Sequence, residues 1–269
     1  MECRNSGARV IMNLNLKDKV AVVTGSSRGI GKGIATRFAA EGCGVTICAR
    51  GKSELATTAE ELEAAGASVL SIPVDLMDPE APAQIIDQTV DHFGKLNILI
   101  NNVGGNRRKE FAETTDQDWY DIAELNFMSH VRCSRSAIPH MRKEGGGAIV
   151  FISSIFGREA GGPGLSIYNT TKSALISVAK IMALELAGSG IRVNSVAPGS
   201  IRFEGGSWDR RMKEDPETIQ SFIDTNLPIG RFGTVDEVAD VVVFLASERA
   251  SLVTGASLNI DGGQSHSLI

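Results

Sequence analysis

A tyrosine and a lysine stand four residues apart in the stretch "YNTTK", as Tyr168 and Lys172. Side chains at this spacing lie on one face of a helix, so the two would project together. A free phenol has a pKa of about 10, too high for easy proton exchange at neutral pH, and a nearby ammonium group would lower it. The pair therefore suits a proton-transfer site, although the same spacing also occurs on ordinary helix surfaces.

A glycine-rich stretch, "TGSSRGIG", follows the first apolar run of the chain and precedes a helical pattern. Its glycines are Gly25, Gly29 and Gly31. Glycine permits a tight turn and a close backbone approach to a pyrophosphate, which then lies at the N-terminus of the helix. The stretch predicts a dinucleotide-binding loop, and the alternative is a glycine-rich turn without a ligand.

The end of the second apolar run bears on the choice of dinucleotide. An acidic residue there commonly binds the adenosine 2′-hydroxyl of NAD, but this run ends in "CAR", with Ala49 and Arg50. Arg28 lies inside the glycine loop. Two guanidinium groups suit the 2′-phosphate of NADP, so the sequence favours NADP(H) over NAD(H) unless both arginines only face solvent. The missing acid also argues against a methyltransferase.

Short apolar runs rich in β-branched residues alternate with helical patterns throughout the chain. Continuous apolar runs are typical of strands buried on both faces of a parallel sheet. The alternation predicts an α/β fold with a single doubly wound, Rossmann-type parallel sheet and helices on both faces. The predicted strands are 19–24, 44–48, 68–72, 96–101, 147–153, 191–196 and 257–260. The predicted helices are about 29–42, 52–65, 79–93, 117–143, 165–187 and 235–246.

The domain organisation is predicted to be simple, because no internal repeat, low-complexity tract or linker is present. Residues 1–14 are interpreted as a flexible N-terminal extension and 15–269 as one dinucleotide-binding and catalytic domain. The only long segment without a strand or helix pattern is about 199–228. Loops of that length are usually functional, and we expect this one to form a lid over the substrate.

Composition and charge exclude several classes of protein. The formal net charge of −5 argues against nucleic-acid binding, which needs a basic face. Four scattered cysteines and four scattered histidines form no ligand pattern, so we expect neither a metal nor a disulfide framework. Cys43 and Cys48 are interpreted as small core residues. No run is long enough for a signal peptide or a membrane helix, so we expect a reduced, cytoplasmic protein without membrane or nucleic-acid partners.

The motifs, taken in order, resemble those of the short-chain dehydrogenase/reductase family over about residues 17–264. "TGSSRGIG" is similar to the family's TGxxxGxG loop, "VDL" to its adenine-contacting turn and "NNVG" to its NNAG strand end. Asn126 in "ELNFMSHV", Ser154 in "FISS", and Tyr168 with Lys172 match its catalytic positions. "VNSVAPG" and "TGASLNIDGG" resemble two later strands. Each motif alone is weak, but the ordered set is highly specific.

The resemblance implies a catalytic set of Asn126, Ser154, Tyr168 and Lys172. Tyr168 would be the general acid in ketone reduction and the base in alcohol oxidation. Ser154 would hydrogen-bond the carbonyl oxygen as negative charge develops there. Lys172 would lower the Tyr168 pKa and also bind the nicotinamide ribose, and Asn126 would hold a water that links Lys172 to solvent.

The same motifs imply the residues that bind the cofactor. These are Gly25, Ser27, Arg28, Gly29, Ile30, Gly31, Arg50, Asp75, Leu76, Asn102, Val103, Gly104, Tyr168, Lys172, Pro198, Gly199 and Ile201. No metal-binding residue is predicted. The cofactor is expected to be NADP(H), with NAD(H) as the less favoured choice.

Two departures from the family pattern concern the nicotinamide and the substrate. Phe203 stands where the family has a threonine that meets the nicotinamide carboxamide, and the backbone of Ile201 could still serve. Ser154 and Tyr168 are separated by one position more than is usual in the family. The intervening "IFGREAGGPGLSI" is expected to line the substrate pocket.

The predicted activity is the NADP(H)-dependent reduction of a ketone to a secondary alcohol, or the reverse reaction. Much of the chain resembles 3-oxoacyl-carrier-protein reductases, but sugars, steroids and small diketones stay open as substrates. Basic residues around 107–109 and in the lid could attract an acidic substrate or could simply face solvent. The alternatives are a catalytically silent dinucleotide-binding sensor or scaffold, or a structural subunit; neither requires the complete four-residue set.

Assembly is a further implication of the resemblance. In this family the helices that match about 117–143 and 165–187 pack between subunits. We therefore expect a homo-oligomer, either a tetramer or a two-fold dimer. The alternative is that the apolar stripes of these helices face only the sheet.

Overall fold

Each of the seven predicted strands is present in the computed structural model, which describes residues 12–268. The strands are parallel and lie in the order β3-β2-β1-β4-β5-β6-β7. Residues 1–11 of the predicted extension, with Cys3, lie outside the described residues. The strands are β1 (Val20–Thr24), β2 (Gly44–Ala49), β3 (Val69–Pro73), β4 (Ile98–Asn101), β5 (Gly147–Ile152), β6 (Ile191–Pro198) and β7 (Ser257–Ile260).

Helices cover both faces of this sheet, which confirms the doubly wound fold class. The helices are α1 (Gly29–Ala40), α2 (Lys52–Ala64), α3 (Ala81–Phe93), α4 (Asp116–Ala123), α5 (Ser129–Lys143), α6 (Ser166–Leu186), α7 (Ser207–Glu214), α8 (Pro216–Asn226) and α9 (Val235–Ala246). No helix within 12–268 is both long enough and apolar enough to span a bilayer.

Alternation along each strand divides the core into two layers. In β5, Val150 packs with the layer formed by α1, α2 and α9, whereas Ile149 and Phe151 face the layer of α3, α5 and α6. Successive side chains of β5 point to opposite faces of the sheet, so nearly every residue of this strand is buried. Cys43 and Cys48 are buried among these apolar residues, as predicted.

The strand order reverses between β1 and β4, and this reversal places the site. β1 pairs with β2 on one side and with β4 on the other, so the connections leave in opposite directions. In open parallel sheets, ligands bind in the crevice beyond the carboxyl ends of the strands at such a switch point. The glycine loop follows β1, "NNVG" includes the end of β4, and Ser154 follows β5.

The predicted helix at 117–143 is helical from Asp116 to Lys143, but its middle turn is not α-helical. It begins at a capping box, in which the Thr115 hydroxyl accepts from the Asp118 N–H and the Asp118 carboxylate accepts from the Thr115 N–H. A π-helical turn, Glu124–Met128, then separates α4 from α5. Such a turn contains one additional residue and is frequent at functional sites; here it contains Asn126.

The prediction that 199–228 is irregular is wrong, because α7 and α8 lie within it. Their apolar residues pack on one another rather than on the sheet: Trp208 stacks on Phe222 with ring centroids 4.7 Å apart. The buried Asp209 carboxylate orders the approach to α7, since it accepts from Lys213 at 2.7 Å and from Arg202 at 3.0 Å. These ion pairs hold the Asp209 pKa at about 2.

Candidate active site

Tyr168 and Lys172 lie in the first two turns of α6, four residues apart and on one helix face as predicted. Lys172 is buried, and its Nζ donates to the Ile152 carbonyl at 2.8 Å. The same nitrogen lies 5.8 Å from the centroid of the Tyr168 ring. The ammonium group therefore sits between the end of β5 and the tyrosine.

Ser154 meets this pair from the end of β5. Its hydroxyl interacts with the Tyr168 phenol through a side-chain hydrogen bond and accepts from the Phe156 N–H at 3.2 Å. The neighbouring Ser153 hydroxyl donates to the Lys172 carbonyl at 2.8 Å, which joins the strand end to α6. The structure thus brings Ser154, Tyr168 and Lys172 together from elements that the sequence separates by fourteen or more positions.

The pKa values in this cluster follow from burial. Burial lowers the pKa of Lys172 to about 8. Burial raises the pKa of Tyr168, and the hydrogen bond with Ser154 opposes that rise. The prediction that the ammonium lowers the Tyr168 pKa is therefore wrong in its net direction, because desolvation of the phenolate outweighs the favourable interactions. Tyr168 is a protonated phenol at neutral pH, which is the form that an acid needs.

Asn126 is positioned by the π-helical turn and is completely buried. Its Oδ1 accepts from the Gly105 N–H at 2.8 Å, and its Nδ2 donates to the Gly105 carbonyl at 2.9 Å and to the Thr171 hydroxyl at 3.1 Å. A Cβ atom at Gly104 would lie 3.3 Å from Asn126 Oδ1 and 3.4 Å from Lys172 Nζ. Asn126 therefore fixes the loop after β4 beside the Lys172 ammonium group.

The glycine loop is bound to the end of β4 by Asn102. Its Nδ2 donates to the carbonyls of Thr24 and Gly25 at 2.8 and 3.0 Å, and its backbone N–H donates to the Thr24 hydroxyl at 2.8 Å. A Cβ atom at Gly31 would lie 2.3 Å from the Gly25 carbonyl oxygen and 2.5 Å from Asn102 Nδ2. Only glycine fits there, and the close packing leaves the start of α1 facing the cleft.

His130 was not identified from the sequence, although it contacts the same loop. Its Nε2 lies 2.8 Å from the Val103 carbonyl. Because a carbonyl can only accept, this nitrogen carries the proton. Burial, and then the charge of Lys172, lower the His130 pKa to about 3, so the ring is neutral at neutral pH. A histidine surrounded by apolar core residues gives no sequence signal of this contact.

A cleft of about 390 Å³ opens along the glycine loop, and most of the predicted cofactor residues line it. Gly199 instead lines a larger cavity with Ser154 and Tyr168, and Ile201 lines a small cavity of about 90 Å³. Pro198 ends β6 and is buried. The residues that line the cleft as predicted are Gly25, Ser27, Arg28, Gly29, Ile30, Gly31, Arg50, Asp75, Leu76, Asn102, Val103 and Gly104.

The charges in this cleft are more mixed than the sequence predicted. Arg28 and Arg50 both line it, and Arg50 lies 3.9 Å from the Asp75 carboxylate. Glu54, in the first turn of α2, also lines it. Glu54 was not predicted from the sequence, because the expected position of an acid is the end of β2, whereas α2 brings Glu54 back to the cleft from five positions after that end.

Phe203 forms a wall of the cleft where the family pattern has threonine. Its ring packs on the glycine loop: a Cβ atom at Gly29 would lie 2.7 Å from the Phe203 ring. Gly29 has φ +58°, a conformation that favours glycine. The phenyl group thus reaches the loop from the segment that precedes α7.

A larger cavity of about 870 Å³ adjoins Ser154 and Tyr168. Its walls include Phe156 and Glu159 from the long segment between these two residues, as predicted for that segment. Helices α7 and α8 contribute a wall with Trp208 and Phe222. The contribution of Gln264 and His266 to the cavity wall was not predicted from the sequence. These residues follow β7, about a hundred positions after Ser154 and Tyr168.

The glycine cradle fits a dinucleotide. The loop backbone is exposed to the cleft at Gly25 and Gly29, and α1 begins at Gly29 without a side-chain cap on its first N–H groups. Uncapped N–H groups at a helix N-terminus bind phosphate. Arg28 and Arg50 add positive charge to the same cleft. Within 12–268, no group of side chains is arranged to hold a metal ion.

Comparison with known proteins agrees with this geometry. A family model described as enoyl-(acyl carrier protein) reductase matches residues 25–265. A 3-oxoacyl-[acyl-carrier-protein] reductase of Staphylococcus aureus is 36% identical, over 91% of this chain and 97% of that protein. The crystal structure of L-sorbose reductase from Gluconobacter frateurii, complexed with NADPH and L-sorbose, superposes with a TM-score of 0.91 and 36% identity, covering 96% of this chain and 100% of that one.

The fold and these relatives together define an oxidoreductase that acts on CH–OH or C=O groups with a nicotinamide dinucleotide. Within that class, the chain belongs to the short-chain dehydrogenase/reductase family, and it is similar to the 3-oxoacyl-[acyl-carrier-protein] reductases. The resemblance of the sequence motifs to this family is confirmed.

The Lys172 pKa predicts a pH dependence. Because burial lowers this pKa to about 8, the ammonium charge is present below that pH and lost above it, while Tyr168 keeps its proton. We expect kcat/KM for carbonyl reduction to fall up to tenfold per pH unit above about pH 8. If kcat/KM stayed constant up to about pH 10, the reaction would not depend on the Lys172 ammonium charge, and the prediction would be contradicted. Lys172→Arg keeps its charge throughout, so any remaining activity should lack the decline.

Proposed function

We propose that this protein is an NADP(H)-dependent reductase that converts a ketone to a secondary alcohol, or catalyses the reverse reaction, with Tyr168 as the proton donor. The observation that carries the proposal is the position of Lys172 Nζ. It lies beneath Tyr168 and next to Gly104 in the wall of the dinucleotide cleft. Tyr168 and Ser154 open on the larger cavity, so proton donor and cofactor cleft adjoin at one point.

The side chains divide the reaction among them. A bound nicotinamide dinucleotide supplies the hydride. Ser154 donates a hydrogen bond to the carbonyl oxygen, where negative charge develops during reduction. Tyr168 transfers its proton to that oxygen, and its raised pKa ensures that the proton is present beforehand. The Lys172 ammonium stabilises the phenolate that this transfer leaves.

Asn126 supports this site by position. Its three hydrogen bonds fix Gly105 and Thr171, and Thr171 precedes Lys172 in α6. A water that links Lys172 to solvent beside Asn126 would restore the proton after each turnover, and this role is part of the proposal. A silent dinucleotide-binding protein would need neither the buried ammonium group nor the phenol.

The substrate is proposed to be a ketone with several polar groups. The large cavity combines aromatic rings with Arg108, Arg211 and Glu159, which suits an oxygen-rich compound better than an apolar one such as a steroid. Among the relatives, one acts on 3-oxoacyl groups of a carrier protein and one binds L-sorbose. A panel of sugar ketones, 3-oxoacyl thioesters, diketones and steroids, followed by NADPH and NADH absorbance, tests the proposal. No turnover across the panel would oppose it.

Tyr168→Phe tests the proton donor. The substitution keeps the ring and its packing but removes the transferable proton, so turnover should fall by about 10² to 10⁴. NADPH affinity should change little. Lys172→Ala should lower turnover and also weaken NADPH binding, because the ammonium group is proposed both to stabilise the Tyr168 phenolate and to bind the nicotinamide ribose.

Melting temperature measured on the same preparations separates chemistry from structure. If Tyr168 had only a structural role, Tyr168→Phe would have a lower melting temperature than the unmodified protein, and its turnover per folded molecule would be unchanged. That result would end the assignment of Tyr168 as the acid.

Arg50→Asp tests the choice of cofactor. The unmodified protein should bind NADPH more tightly than NADH, because Arg28 and Arg50 line the cleft. Loss of a charge-assisted hydrogen bond should weaken NADPH binding at least about tenfold and reverse the order. Lys52→Asp is the control, since Lys52 is exposed and does not line the cleft. Equal affinities for NADPH and NADH in the unmodified protein would refute the preference, whatever the variants do.

The outer face of α6 is proposed to pack between subunits. Ile181 and Leu184 are 51% and 68% exposed there, and Tyr120 on α4 is 67% exposed. Burying such residues favours association, so light scattering should give a multiple of 28.5 kDa. Ile181→Glu with Leu184→Glu should shift the particle toward a monomer, whereas Leu252→Glu, at a leucine 95% exposed elsewhere, should not. A monomeric unmodified protein would contradict the proposal.

A further inference from the structure

Residues 264–267, the C-terminal tail, lie at the rim of the large cavity, where the Glu159 carboxylate accepts three of their hydrogen bonds. Oε2 of Glu159 accepts from the His266 N–H at 2.8 Å, from the Ser265 hydroxyl at 3.0 Å and from the Ser267 N–H at 3.1 Å. Hydrogen bonds to an ionised acceptor are about twice as strong as neutral ones. A single oxygen with three donors from the tail is therefore a specific clamp between distant parts of the chain.

The clamp is connected to the helix that carries the catalytic tyrosine. Glu159 lies in the long segment between Ser154 and Tyr168, and its carbonyl accepts from Asn169 Nδ2 at 3.0 Å. Asn169 directly follows Tyr168 in α6. The tail, the long segment and the start of α6 thus form one hydrogen-bonded unit around the cavity.

The tail presents an oriented amide to the cavity. Oε1 of Gln264 accepts from the Ser200 N–H at 2.8 Å, which fixes which end of the amide is oxygen. Among residues 12–268, no hydrogen bond is made by the Gln264 amide nitrogen. Asp261 shapes the turn before the tail, since its carboxylate accepts from the Gly263 and Ser265 N–H groups, each at 3.0 Å.

We propose that Glu159 is a positioning residue that fixes the tail as one wall of the substrate cavity, and that the Gln264 amide nitrogen on this wall donates to an oxygen atom of the carbonyl substrate. The inference rests on the proposed function. It refines the substrate class to ketones with a hydroxyl or second carbonyl oxygen away from the reacting carbon. Three donors of the tail occupy Oε2 of Glu159, so this oxygen acts on the substrate cavity through the tail.

The clamp is tested without any substrate by hydrogen–deuterium exchange of the tail. In Glu159→Ala, the His266 amide should exchange at least about tenfold faster, because its acceptor is gone, whereas the Ser267 N–H keeps the Ser265 hydroxyl as an acceptor at 3.2 Å. Glu159→Gln keeps a neutral acceptor and should be intermediate. Glu217→Gln is the control, since Glu217 is exposed and outside the cavity lining. Unchanged exchange in Glu159→Ala would overturn the clamp.

The binding role is tested by kinetics on the best substrate of the panel. Gln264→Glu keeps an oxygen for the Ser200 N–H but replaces the donor with an acceptor. We expect KM to rise about tenfold or more while kcat and NADPH affinity change less, and tail exchange to stay as in the unmodified protein. Glu159→Ala should raise KM in the same way, because the wall loses its position.

The outcomes distinguish this inference from the proposed function. If Glu159→Ala frees the tail but no ketone is turned over by the unmodified protein, the clamp stands and the proposed function fails. If a ketone is turned over and KM in Gln264→Glu is unchanged, the proposed function stands and the binding role of Gln264 is refuted. A loss of kcat with KM constant in both variants would assign them a structural role instead.

Discussion

A positive charge buried at the carboxyl edge of the sheet is the constraint on which this site depends. Moving an ammonium group out of water is costly unless polar groups surround it. The Lys172 ammonium group offsets part of that cost by donating a hydrogen bond to the Ile152 carbonyl at 2.8 Å. Within residues 12–268, no carboxylate forms an ion pair with Lys172. Its pKa consequently falls to about 8, so its charge is retained near neutrality but is readily given up.

The surrounding elements hold this charge between the cleft along the glycine loop and the larger cavity at Ser154 and Tyr168. The π-helical turn aims Asn126 at Gly105 and Thr171, on either side of the lysine. Asn102 draws the glycine loop against the end of β4. Burial has opposite effects on the two titrating groups, since it raises the Tyr168 pKa and lowers the Lys172 pKa. A protonated phenol and a weakly held ammonium proton therefore lie next to each other near the cleft along the glycine loop.

The sequence predicted the sheet because its apolar runs are short, rich in β-branched residues and alternate with helical patterns, as buried parallel strands do. It also predicted most of the cleft lining, since the glycine loop and "NNVG" are local motifs. Three features were not predicted from the sequence. The net rise of the Tyr168 pKa depends on burial in the folded protein. The π-helical turn at Asn126 has the same sequence pattern as an α-helix, and the hydrogen bond between Glu159 and His266 joins residues 107 positions apart. Helices α7 and α8 were missed because their apolar residues pack mainly on one another.

The central claim is that this site directs hydride to a carbonyl carbon while Tyr168 protonates its oxygen. The most direct test is to incubate the protein with a ketone that it turns over and with NADPH that carries deuterium at both positions of the transferring carbon of the nicotinamide. The account predicts one deuterium on the carbinol carbon, in one stereochemical configuration, with the hydroxyl proton drawn from solvent. An alcohol without deuterium, or with equal amounts of both configurations, would contradict it.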